Sequence, residues 1–211
     1  MRFPPEPELP LIHQRRYDVK SYRRSATELL LRGTVQDEKP PGIYLDDDQP
    51  LTVHHMLVEL LLSFPSLEIL TAEVVLGTAP HEGCSNIEPD YQQLVGLSIA
   101  RGFSRSVKDL FGGPRGCTHV GALLQAMAPV AIQSTWSMQP PGSGAMDGDP
   151  DRSEDEIRGA MRHNLNTCHV WDEDGEQVAQ ILGGGRIEEP LWATERLVAL
   201  GRDPQEWRSR R

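Results

Sequence analysis

Two adjoining segments constrain the fold more than any other part of the chain: "TVHHMLVELLLSF" at 52–64 and "LEILTAEVVLGTA" at 67–79, separated only by Pro65 and Ser66. In the second, Leu67, Ile69, Thr71, Glu73 and Val75 alternate with Glu68, Leu70, Ala72 and Val74, so apolar groups fall on both faces of an extended segment. Joined this closely, the pair reads as an antiparallel hairpin with at least one face buried. Ahead of it, "RYDVKSYRR" and "ELLLRGTVQDE" show shorter β alternation, with "KPPG" and "DDDQP" as the intervening loops. The opening "FPPEPELP" cannot hold a helix, because each proline removes a backbone donor and restricts its predecessor.

After Ala79 the apolar spacing becomes helical. "IEPDYQQLVGLSI" predicts a short helix with Tyr91, Leu94 and Val95 on one side, and "SRSVKDLFGG" predicts another, ended by Gly112 and Gly113. The strongest helix starts at Thr118 as N-cap. Val120, Leu123, Leu124, Met127 and Ala131 form its apolar stripe, and Pro129 is expected to kink it. Residues 138–152 have the Pro/Gly/Asp composition of a linker. Beyond it, Ser153 to Glu156 forms a capping-box pattern, "TCHVWDEDGEQVAQIL" reads as a hairpin about Asp174 and Gly175, and Pro190 to Trp207 reads as helix. The expected organisation is an extended arm (1–14), a core domain (15–137), the linker (138–152) and a helix-hairpin-helix segment (153–211). The fold class is α+β, an antiparallel sheet followed by helices packed on one face, with a small C-terminal α/β appendage.

With 211 residues the chain can bury a real core, and no apolar run approaches the roughly 20 residues of a bilayer span. The net charge of −10 argues against a nucleic-acid binder, and the basic runs "HQRRY", "SYRR" and "RSRR" read as solvated faces. The N-terminus lacks the pattern of a secretory signal, so the expected location is cytoplasmic and the three cysteines are expected as thiols.

Chemistry concentrates in "PHEGC" at 80–84 and "GCTHV" at 116–120. Cys117 stands at the predicted opening of a helix, where free amides and the positive dipole end favour a thiolate. His119 lies two residues on, and His81 and Cys84 have an H-x2-C spacing that two ligands of one ion can use. If the loops meet, two sulfurs and two imidazoles suit one zinc or iron ion. His54 and His55 open the first long strand and point to opposite faces, so one of them can reach such a site, with His81 as the alternative or as an acid or base. Asp37 ends a strand, where it either orients a ligating imidazole or forms a turn. Cys168 and His169 read as packing residues, and His13 and His163 have no constellation.

The run "PHEGCSNIEPDYQQLVGLSIARGFSRSVKDLFGGPRGCTHVGALLQAMAPVAIQS", with "YDVKSYRR", "DEKP" and "NTCHVWDEDGE", resembles a bacterial family defined as a domain of unknown function (number 2889). The likeness spans roughly residues 15–137 and 165–180. More distantly, the order of hairpin, cysteine loop, short helix and cysteine-histidine helix start is similar to the iron-sulfur cluster scaffold family. That resemblance implies ligands at His54 or His55, Cys84, and Cys117 with His119. The chain departs from it by a histidine in the first cysteine position and by C-x-H in place of H-C, which favours a retained ion over a donated cluster.

These features support three functions: a metal-dependent enzyme of small-molecule metabolism, a scaffold or interaction module with a structural metal, and a metal-free thiol enzyme with Cys117 as nucleophile and His119 or His81 as base. The expected partner is a small-molecule substrate, with no nucleic acid and no membrane, and a homo-oligomer is left open.

Overall fold

In a computed structural model of the chain, the residues described are 5–139, 153–162, 164–185 and 190–209. The chain divides into two compact units, Met1–Met138 and Gln139–Arg211. No helix among the described residues is long and apolar enough to cross a membrane.

The first unit is a four-stranded antiparallel sheet in the order β1-β2-β3-β4, formed by Gln14–Arg23, Glu28–Lys39, Leu51–Ser63 and Ile69–Thr78. A 3-10 segment, Glu82–Leu94, follows along β4, then helices α1 (Phe103–Phe111) and α2 (Thr118–Met138). The α+β class and the antiparallel sheet followed by helices match the sequence reading.

Alternation decides which face is buried. Leu29, Leu31, Val35 and Asp37 of β2 point to the same side as Met56, Val58, Leu60 and Leu62 of β3, and all are buried. β4 contributes Ala72, Val74 and Leu76 in register with Leu60, Val58 and Met56. A bulge between Leu61 and Leu62 shifts its alternation, so Ile69 and Ala72 are both buried although three residues apart. The stripe expected for α2 is buried as a whole: Val120, Leu123, Leu124, Met127 and Ala131.

α2 crosses this face from the Asp37 end of β2 toward the far end of β1. His119 lies beside Asp37, Met127 beside Gly33, and the Ser137 carbonyl accepts from Arg23. Gly33 permits the close approach. A Cβ there would lie 2.7 Å from Met127 Sδ and 3.0 Å from Leu123 Cδ1. Gly33→Ala should therefore cost about 1–3 kcal/mol by overpacking, measured by urea denaturation; an unchanged midpoint would show that Met127 simply moves aside.

Three expectations are corrected here. Helix α2 begins at Thr118, but the Cys117 carbonyl accepts the first helical bond from Gly121 N, so Cys117 occupies the N-cap position. Tyr91 and Leu94 are buried as predicted, whereas Val95 is exposed. Their segment is a 3-10 helix containing Pro89, which cannot donate an α-helical bond.

The second unit contains α3 (Glu154–Met161), α4 (Glu176–Leu182), α5 (Leu191–Ala199) and α6 (Glu206–Ser209). The Ser153–Glu156 capping box is present. The hairpin expected about Asp174 and Gly175 is not: His169–Trp171 forms a 3-10 turn and α4 starts at Glu176. Val178 and Ile181, three apart, are buried together, a helical spacing that the aromatic and β-branched neighbours obscured. Cys168 is exposed at that turn and does not pack. The helix expected from Pro190 to Trp207 is broken at Gly201, whose φ of +67° is a left-handed conformation that favours glycine. His163 and most of the 138–152 linker lie outside the described residues.

Candidate metal centre

Strand register assembles most of the site. Asp37 pairs with Arg15 on one side and with His54 on the other, so three polar side chains form one cross-strand row on the face that α2 covers. α2 adds the fourth. His119, in its first turn, points down onto the row, and its Nε2 lies 3.1 Å from Asp37 Oδ2.

Asp37 is the hub and is almost wholly buried. Arg15 donates two hydrogen bonds to it, Nε to Oδ1 at 2.6 Å and a terminal nitrogen to Oδ2 at 2.7 Å. This bidentate pair holds the Asp37 carboxyl down to about 2, below the usual carboxylate range, and raises the Arg15 guanidinium in turn. His13 Nε2 is 3.6 Å from Oδ1. Burial pushes His119 below the ordinary imidazole value, the neighbouring His54 and Arg15 push the same way, and Asp37 opposes them in part.

His54 and His119 stack with ring centroids 3.9 Å apart and an interplanar angle of 28°. His54 Nδ1 lies 3.2 Å from Asp37 Oδ2, yet this buried nitrogen has no hydrogen-bond partner among the described residues: the distance permits a bond and the alignment does not. One carboxylate oxygen and two imidazole nitrogens thus converge, all within 4.8 Å of one another, as a group able to hold a metal ion. Ligands about 2.1 Å from a zinc ion stand roughly 3.0–3.4 Å apart at the edges of its coordination shell, so the two contacts to Oδ2 already have ligand spacing.

Cys117 adjoins this group from the other side. Its Sγ is 3.7 Å from His119 Nδ1, the nitrogen that faces away from Asp37. The loop that presents it is tightly specified. Cys117 N donates to the Tyr91 hydroxyl at 2.8 Å, and the Tyr91 ring packs on Phe111 at 4.6 Å between centroids. Burial pushes the Tyr91 phenol up to about 12, so it serves as a neutral acceptor. Gly116 completes the turn, since a Cβ there would lie 2.5 Å from the Phe111 carbonyl oxygen.

Of the residues singled out in the sequence, Asp37, His54, His119 and Cys117 come together. His55 follows His54 on β3 and therefore points to the opposite face. His81 is exposed at the start of the 3-10 segment, and Cys84 is half-buried against the hydrophobic core; neither belongs to the group of converging donors found among the described residues. Two contributors went unrecognised in the sequence. His13 was without a constellation and Arg15 belonged to a run read as a solvated face, yet both reach Asp37. The available signal was the β alternation that puts Arg15 on the same side as the buried-facing Val19.

Residues 13–133 match the family described as Protein of unknown function (DUF2889). The chain belongs to this family. No curated protein and no solved structure matches it. The matched region contains every residue of the Asp37 cluster, with His13 at its first position.

Proposed function

We infer that this member of the DUF2889 family holds one zinc or iron ion on Asp37, His54 and His119, and that the ion serves a metal-dependent enzyme of small-molecule metabolism in the cytoplasm. The observation that carries this reading is the buried His54 Nδ1, which lacks a hydrogen-bond partner among the described residues and lies at ligand spacing from Asp37 Oδ2. Leaving such a nitrogen unsatisfied costs roughly 1–3 kcal/mol; a bound cation would turn that cost into a coordinate bond. Two imidazoles and one carboxylate leave positions free for water or substrate, as catalytic zinc sites and two-His-one-carboxylate iron sites do. Arg15 and Cys117 would then act from outside the ligand set, one fixing the carboxylate and the other facing the far nitrogen of His119. A cluster scaffold would call for more thiolate than this donor set offers.

A second reading has its own support. Cys117 Sγ, His119 and Asp37 stand in the order nucleophile, base, orienting carboxylate. A neutral His119 protonated at Nε2 toward Asp37 would offer an unprotonated Nδ1 to the thiol.

The deciding experiment is elemental analysis of protein purified without a metal-affinity tag, with His54→Ala and Cys84→Ala variants alongside. About one zinc or iron per chain in wild type, lost in His54→Ala and kept in Cys84→Ala, is the expected result. Loss in Cys84→Ala as well would return Cys84 to the ligand set. No metal in wild type, with rapid alkylation of Cys117, would establish the thiol reading instead.

A further inference from the structure

The sheet has a second face, opposite α2, and its side chains form ordered rows. Strand register aligns Lys20, Arg32, Glu59 and Glu73 in a line across all four strands. Half of the row is positive and half negative. Arg32 pairs with Glu59 within the chain, while 61% of the Arg32 side chain and 36% of the Glu59 side chain remain exposed. On either side run less polar rows, with Leu30 beside Leu61 in one, where Leu61 is only 8% exposed, and Thr34 beside Leu57 in the other. Tyr22, Val75 and Leu70 are exposed at its margins.

We propose that this face is the docking surface for a second copy of the chain, joined face to face about a twofold axis parallel to the strands. Such an axis, placed between β2 and β3, lays β1 of one copy over β4 of the other and β2 over β3. Each row then meets itself reversed. Lys20 faces Glu73 of the second copy and Arg32 faces Glu59 of the second copy, each contact made twice, while Leu30 lies over Leu61 of the second copy. Self-complementary charge is what an isologous interface requires, and it selects this chain over an unrelated partner.

The area stands at the threshold for a specific interface. Four strands about 4.8 Å apart and ten residues long at about 3.3 Å each cover roughly 600 Å² per copy, near the lower bound of about 1,200 Å² in total for a specific interface. Facing sheets pack about 30° apart, so the central strands carry most of the contact. Arg32 and Glu59 are therefore the residues to test.

The test is sedimentation velocity on the full chain at about 1–50 μM, with charge reversals. Wild type should sediment at twice the 23.5 kDa chain mass. Arg32→Glu places two carboxylates against Glu59 of the second copy, and Glu59→Arg places two guanidiniums together, so each variant alone should be a monomer with an unchanged circular-dichroism spectrum. Mixing the two should restore a dimer, because every facing pair is then opposite in charge. The combined Arg32→Glu/Glu59→Arg chain should also dimerise, and it keeps an intrachain pair should either single variant fold poorly. A monomeric wild type, a dimer indifferent to the reversals, or no recovery in both the mixture and the combined variant would overturn the proposal.

Discussion

Asp37→Asn is expected to remove about 2–4 kcal/mol of stability from the metal-free protein at pH 7, the cost of stranding a partly buried Arg15 and weakening the His119 contact to the carboxylate. The effect falls below the worst cases of broken buried pairs because Arg15, about one-third exposed, can recover some hydration. The pH dependence gives the sharper reading. Asp37 titrates at about 2 when folded against 3.8 in the free state. A depressed folded value stabilises the fold above the free value, and that stabilisation is lost as pH falls through the folded value. At roughly 1.36 kcal/mol per pH unit, wild type should lose about 2 kcal/mol from this group between pH 4 and pH 2. The Asn variant has nothing to protonate there. Urea denaturation in chelator at pH 7, 4, 3 and 2 should show the two stability curves converging toward low pH; parallel curves would mean that the Arg15 pair contributes nothing to folding.

The sheet and the stripe of α2 were legible because period-two and three-and-four spacings report burial directly. Leu31, Val35, Met56 and Val58 could be placed inward from pattern alone. The site was legible only in its parts. His54, Cys117 and His119 could be named as candidates, but whether Asp37 meets His54 depends on the register of β2 against β3 across the connection at 40–50. A slip of one residue would send one of them to the other face. Between Asp37 and Glu38 that ladder also carries an irregularity, which no spacing rule reveals. Arg15 was hidden by its neighbours. In "HQRRY", Arg16 pairs with Glu38 and is well exposed, while Arg15, one residue earlier, turns to the covered face and binds Asp37. The expectation that both cysteine loops supply the ion rested on chain spacing; in the fold, the converging donors are a strand carboxylate, a strand histidine and a helix histidine.

That donor set makes a prediction that separates ligand from neighbour. In metal titrations at pH 7.5 with a competing chelator, His119→Ala should weaken zinc or iron binding by about 10³-fold or more, since it removes one of three donors and roughly 4 kcal/mol at 1.4 kcal/mol per decade. Cys117→Ser should cost only about 10–100-fold, the usual effect of losing a group that orients a ligand from outside the coordination shell. The difference follows from which nitrogen faces which partner: Nε2 of His119 looks toward Asp37 and His54, and Nδ1 looks toward the sulfur. The two nitrogens of one ring cannot both bind a single ion, so an ion on Nε2 leaves the sulfur outside its ligand set, whereas an ion on Nδ1 would take the sulfur and leave Asp37 and His54 outside it. Were Cys117→Ser to lose as much affinity as His119→Ala, the ion would sit on the sulfur side, and His54 would be the dispensable residue. The same two variants read the thiol mechanism in reverse, because alkylation of Cys117 should slow markedly in His119→Ala when the imidazole is the base that activates it.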